Sequence, residues 1–356
     1  MKKNLLNAVF KALMILTIFL SSCKKENNNP NKVSQGEKLV YITNEGAFQH
    51  DNGSISILEP DSSRITNYVF ESANGRSTGD VVQSMGLANS KGYIVVNNNN
   101  LIKIVNLSTF KEIAELNIIY PRYFLEIDTT KAYITSGSMQ GWVQIINLQT
   151  NKISDSIKVG NGPENLVKSG NYVYVANSGG WTTDSTVSVI DAISDKVMKT
   201  IYVGEDPIAL VVDNNSDVWV ICAGYYNAAY LRGESKIVKI SQSSLTVENS
   251  FVEGKAFDNY ESTLLAISSD KKTIYYQDSL GIFAYPINDT NLPVNPIISS
   301  NIQFSGLNVD PSNGDIYCLD AGNYSSGGTV NIYDKNGIFK KSYTAGIGTS
   351  GAYFNY

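Results

Sequence analysis

The segment NYVYVANSGGWTTDSTVSVIDAISDKVMKTIYVGEDPIALVVD, Asn171 to Asp213, is one unit of a repeat that runs through most of the chain. An apolar strand (Tyr172 to Val175) leads through a polar loop to a second strand (Val187 to Ile190) and a tight turn at Asp191 to Asp195. A third strand ends at Val203-Gly204, and a loop carrying Pro207 enters a fourth, Ile208 to Val212. The unit before it follows the same plan: AYITSG, WVQIIN, LQTNK, ISDSIKVG, GPENLVKSG. Four short strands in a period of about 40 residues describe a propeller blade, which buries its two faces only against neighbouring blades.

The strand following each innermost strand starts near Leu39, Tyr93, Ala132, Tyr172, Val218, Thr273 and Ile316, which makes seven units. Innermost strands are expected at Met85 to Ala88, Tyr123 to Ile127, Asn165 to Val167, Ile208 to Val212, Leu264 to Ile267 and Gly306 to Val309. The seventh is assigned to Gly351 to Tyr356 at the end of the chain, pairing with Leu39 to Thr43 and closing the ring. Closure shields strand edges that would otherwise pair with other molecules. The expected fold is therefore all-β, a seven-bladed β-propeller over residues 37–356. An open β-sandwich or two small β domains would also suit regular strand spacing, but the closing strand and the lack of a linker-like break favour the ring. The long first and fifth units place their extra residues in loops, near Glu71 to Asp80 and Tyr225 to Ser235, and no helix with capping signals is expected in the propeller.

Residues 1–22 have the form of a secretory signal: Lys2 and Lys3, an apolar run strongest from Ala12 to Leu20, then small residues. Leu20-Ser21-Ser22-Cys23 resembles a lipobox, which makes Cys23 the lipidated first residue after cleavage. Residues 23–36 are polar and Asn-rich, as in a flexible tether. Lys24-Lys25-Glu26 resembles the export tag of Bacteroidota surface lipoproteins, so the expected location is the outer membrane, lipid-anchored and facing outward, with the periplasmic side as alternative. Cys222 and Cys318 fall in non-adjacent blades, too far apart for a disulfide, and are read as buried thiols.

A formal net charge of -5 argues against nucleic acid, which requires a basic face. Charged residues are 17% of the chain while tyrosines number 22, a side chain suited both to packing and to amphipathic ligands. In a four-stranded blade, the loops between second and third strands share one face with the connections from outermost strand to next innermost strand. The first set carries Phe48, Gln49, His50 and Asp51, then Trp181, then Tyr225, Tyr226, Tyr230 and Arg232, then Asn323 and Tyr324. The second carries Arg76, Tyr120, Arg122, Glu164, Asn165, Asp206, the run Asp258-Asn259-Tyr260-Glu261, and Phe304. Aromatic walls with a few polar groups on one rim suit a ligand with a broad apolar face and amide edges; the competing reading is that some of these aromatics only plug loops against the blades.

Little points to catalysis. His50 is the sole histidine, which leaves no histidine cluster for a metal, and there is no GxSxG elbow, phosphate loop or calcium loop. No cofactor is implied, and a lyase acting through His50 alone is the enzymatic alternative.

Across residues 38–356, most sharply over GPENLVKSGNYVYVANSG and TVSVIDAISDKVMKTIYVGEDPIALVVD, the chain resembles the YncE-like seven-bladed propellers. With its lipobox and tether it is similar to their Bacteroidota surface-lipoprotein branch, which includes the BtuG type. That resemblance implies a protein that captures a corrinoid (vitamin B12) and passes it to a TonB-dependent outer-membrane transporter. The repeat carries strands and turns rather than ligand contacts, so the corrinoid expectation rests on this context and on the aromatic rim. The rival is a structural or adhesive surface propeller that binds protein or glycan.

Overall fold

The computed structural model describes residues 38–225, 233, 235–253 and 264–356. Among them, seven four-stranded antiparallel sheets form the blades of a seven-bladed β-propeller. Six blades take their strands in chain order. The first is composite: its innermost strand, Thr349–Asn355, comes from the end of the chain and pairs with Leu39–Asn44. The register sets Val40 opposite Phe354, Tyr41 opposite Tyr353 and Ile42 opposite Ala352, as the alternation in both segments predicts.

The strands next to the innermost read as unbroken apolar runs because both of their faces are covered. In Leu39–Asn44, Leu39 and Tyr41 enter the core shared with the second blade, while Val40 and Ile42 enter the core shared with the seventh. The remaining five clusters likewise each lie between neighbouring blades. Fully buried aromatic side chains recur in these interfaces, among them Tyr93, Tyr133, Tyr174, Trp219, Tyr276 and Tyr317. Burial of such rings at about 25 cal/mol per Å2 is the main force holding blade to blade. Cys222 and Cys318 lie inside this packing as free thiols, and burial pushes both thiol pKa values far up.

One expectation fails. The connection between the first two blades holds a short helix, Val69–Asn74, where a loop was expected. Its N-terminal flank, Tyr68, has left-handed geometry and no side-chain cap, so the usual start signal is missing. Its end is conventional: Gly75 at φ 70° donates its N–H to the Glu71 carbonyl at 2.8 Å. Packing supports the helix, because Val69, Phe70 and Ala73 are buried in the core between the first two blades. Among the described residues, no helix is long and apolar enough to cross a membrane. The signal segment, the tether with Cys23, Tyr226, Tyr230, Arg232 and Asp258 to Glu261 lie outside the described residues.

Removing residues 349–356 strips the innermost strand from the first blade and uncovers Val40 and Ile42. The truncated protein should lose its single cooperative thermal transition and form soluble oligomers, measured by circular dichroism melting and size-exclusion chromatography; a sharp melt of an unchanged monomer would refute a closing role.

Candidate functional site

Innermost strands in five blades are entered through a residue in left-handed geometry: Val81, Tyr120, Gly162, Asp206 and Gly348, at φ 59°, 45°, 53°, 55° and 69°. Three of these precede proline (Pro121, Pro163 and Pro207), whose ring disfavours the right-handed helical region for the residue before it. Each connection is stitched to the neighbouring loop on the same rim. Gly137 donates its N–H to Tyr120 O at 2.8 Å, Gly179 to Asn161 O at 2.9 Å, and Ala223 to Asp206 O at 2.8 Å. The rim loops are thus backbone-bonded to one another, which fixes what they carry.

Glycines permit the closest of these approaches. Gly141, at φ 52°, lies so near the next connection that an added Cβ would stand 1.6 Å from Gly160 O. A Cβ on Gly162 would meet the backbone N of Gly180 at 2.0 Å. Gly162 N also donates to Ser138 O at 3.1 Å, and Ser178 N to Gly162 O at 3.0 Å. The loops of the third and fourth blades therefore meet backbone to backbone along a glycine seam.

Beside that seam lies a cleft of about 590 Å3. One wall is the connection from the second to the third blade, with Asn117, Ile118, Ile119 and Tyr120. The third blade supplies Ser136, Ser138, Met139, Gln140, Trp142, Gln144 and Ile153, and Trp181 reaches in from the fourth. The lining contains no charged side chain. Ile119, Met139 and Trp181 are exposed, Trp181 at 83%, although large apolar groups normally avoid such exposure when packing is available. Three aromatic rings, amide groups and hydroxyls suit a neutral surface that is flat and apolar on its face and hydrogen-bonding at its edge.

Of the residues expected on the rim, Tyr120 and Trp181 come together here. Arg122 and Glu164 also meet, but in the wall of the central channel. Arg122 Nε donates to Glu164 Oε2 at 2.8 Å, and Nη1 donates to Gln83 Oε1, which stitches the innermost strands of the second, third and fourth blades. Burial works against the Arg122 charge, but Glu164, Tyr123 and Glu45 together offset it and raise the guanidinium pKa. Burial also pushes the neighbouring Tyr123 phenol up to about 12. Asn165 accepts the Leu210 N–H at 3.1 Å and so links the fourth and fifth blades.

The other candidates are dispersed. Phe48 is exposed in the first blade's loop, where its carbonyl lies 2.8 Å from His50 Nδ1. The Tyr225 N–H lies 3.3 Å from Glu205 Oε2, and burial raises that phenol's pKa. Tyr324 plugs its loop against Gly348, where an added Cβ would stand 2.9 Å from the ring. Two assignments are corrected. Phe304 is 1% exposed, packed in the core between the sixth and seventh blades and unable to touch a ligand. Arg76 is drawn to the outermost strand of the second blade by Glu112 at 2.5 Å and Glu115 at 2.8 Å, away from the channel mouth. Met139, Gln140 and Trp142 were not among the expected rim residues; their signal was the stretch Ser138-Met139-Gln140-Gly141-Trp142 leading into the third strand of its blade.

The sequence matches the model of a family described as "Domain of unknown function (DUF5074)" over residues 38–354. The chain is a member of the DUF5074 family. Among curated proteins, none matches this DUF5074 chain. In structure it is similar to a quinonprotein alcohol dehydrogenase-like protein from Bacteroides thetaiotaomicron, with a TM-score of 0.66 and 15% identity over 90% of this chain and 78% of that one. It is also similar to hydrazine synthase from Kuenenia stuttgartiensis, with a TM-score of 0.55 and 17% identity over 71% of this chain and 76% of that one. At these identities the DUF5074 propeller shares the fold alone with both proteins. Among its described residues, no group of three or more His, Cys, Asp or Glu could hold a metal ion.

Gly141→Ala forces the seam apart at a left-handed position and should cost about 2–4 kcal/mol, with a shift in tryptophan emission as Trp142 and Trp181 lose their setting. Gly75→Ala is the control: it is also left-handed, but nothing lies within 4 Å of an added Cβ, so it should cost only about 1 kcal/mol. Thermal melts and emission spectra of the two variants check this, and equal effects would remove the seam's special role.

Proposed function

We propose that this DUF5074 propeller is a non-catalytic capture protein whose ligand has a broad apolar face bordered by amides, with a corrinoid as the leading candidate. The observation that carries this reading is the cleft beside the glycine seam: Tyr120, Trp142 and Trp181 set among Asn117, Gln140 and Gln144. Amide side chains can both donate to and accept from the amide edge of a corrin, while the rings cover part of its face. The cleft holds one side of so large a ligand, and the remaining side stays open to a second protein. That openness suits a handover, which we assign to a TonB-dependent outer-membrane transporter. Lipidation at Cys23 would keep the propeller at the outer membrane, facing the cell exterior. Loops stitched by backbone hydrogen bonds are ordered before the ligand arrives, which limits the entropy lost on binding.

The highly exposed indole of Trp181 also favours a second reading, an adhesive surface protein that stacks a sugar ring on that face. Corrinoid titration separates the two readings.

Calorimetry with cyanocobalamin on residues 36–356 should give saturable heat at micromolar concentrations; its absence would leave the glycan reading. Trp181→Ala should weaken binding roughly ten-fold, the worth of a large aromatic contact. Tyr120→Gly tests the site apart from stability: it deletes the ring while relieving left-handed strain. It should weaken ligand binding at an unchanged or raised melting temperature, and retained affinity would exclude Tyr120 from the site.

A further inference from the structure

Lys158 ends the outermost strand of the third blade, Lys152–Lys158, directly opposite Trp142. Its ammonium lies 5.3 Å from the centroid of the Trp142 ring, which itself lines the cleft. The only acceptor it reaches among the described residues is Gly141 O, at 3.4 Å, close to the outer limit of a hydrogen bond. Arg76, Arg122, Lys131, Lys239 and Lys340 each have a carboxylate within 2.5–2.8 Å, whereas Lys91, Lys111 and Lys168 are held by carbonyl or amide oxygens. Lys158 makes no such pair among the described residues, and the cleft lining beside it contains no carboxylate. An ammonium carries three donors, and one long bond to a carbonyl leaves most of that capacity unused. The indole face holds the cation beside a ring of the cleft wall without neutralising it.

We infer that Lys158 is a specificity residue that meets an anionic group on the ligand, of the phosphodiester class, from across the Trp142 ring. The inference rests on the corrinoid reading above and deepens it. The nucleotide arm of a complete corrinoid carries one phosphodiester, while the rest of the molecule is edged with neutral amides. The neutral cleft would take the amide-edged body, and Lys158 would select corrinoids that retain the arm. The Gly141 turn, locked against Gly160, sets the height of the carbonyl that Lys158 reaches, so the cation is held against the turn that leads into Trp142.

The test is titration of cyanocobalamin and of dicyanocobinamide, which lacks the nucleotide arm, into residues 36–356 of the wild type, Lys158→Ala and Lys158→Arg at low and high salt. The wild type should prefer cyanocobalamin roughly five-fold, or about 1 kcal/mol, the scale of one exposed charge contact. That preference should shrink with salt. Lys158→Ala should erase both the preference and its salt dependence while leaving cobinamide affinity unchanged, and Lys158→Arg should restore them. Equal wild-type affinities, a preference that survives Lys158→Ala, or equal weakening of both ligands would overturn the role of Lys158 and leave corrinoid capture standing. Heat from neither ligand would overturn the capture reading and this inference together.

Discussion

The pairing of Thr349–Asn355 with Leu39–Asn44 holds the propeller closed, and the other interfaces depend on it. Each blade is covered by two neighbours, so an open array would leave two apolar faces in water, one at each end. In the closed ring Val40 and Ile42 meet Tyr317 and Leu319 of the seventh blade, and the last exposed face disappears. Side chains near the junction add hydrogen bonds between distant parts of the chain. Asn44 Oδ1 accepts from Gly346 N and from Thr349 Oγ1, both at 3.0 Å, and its amide donates to Ser54 and Ser56. An amide buried with its hydrogen-bonding capacity used is tolerated there, where an unpaired one would cost a few kcal/mol.

A closed ring also determines where variation is affordable. The interior is packed on every side, so chemistry can change only where strands end, in loops bonded to other loops. In five blades the left-handed residue entering the innermost strand places its carbonyl within reach of the adjacent loop. At Gly162 and Gly348 this geometry is easily adopted, while at Tyr120 and Asp206 the surrounding bonds hold a strained residue in place. Strain retained at an exposed tyrosine, next to a cleft lined by two tryptophans, points to a role for the ring beyond packing.

The period of the repeat made the architecture legible before any coordinates, because strands buried on both faces and turns at fixed spacing leave few alternatives. The innermost strands and the closing segment fell where the spacing placed them. The helix at Val69–Asn74 was not legible, since its support is tertiary: Phe70 filling a gap between two blades. The two rim corrections share one cause. Phe304 and Tyr120 both sit in connections just ahead of an innermost strand, yet Phe304 turns into the core, with its N–H on Gln277 Oε1 at 3.0 Å, and Tyr120 turns outward. The direction follows from the local dihedral angles and from whether the neighbouring blades leave room, and neither is written in residue type. Arg76 shows the same limit for charge, because the carboxylates that claim it lie 36 and 39 positions away.

The distribution of charge then separates scaffold from site. Several arginines and lysines that support the propeller are matched to carboxylates: Arg122 to Glu164 in the channel wall, Lys131 to Asp195 and Lys239 to Asp217 at blade edges. Removing one member of a largely buried pair strands the other's charge, so these positions resist change. The cleft lining follows the opposite rule, with apolar rings, amides and hydroxyls and no charged side chain of its own. Its residues can be exchanged without unpairing anything in the core. A fold that confines its ion pairs to the framework and leaves the cleft lining neutral keeps its stability independent of what the cleft contacts, which suits a scaffold able to carry different sites.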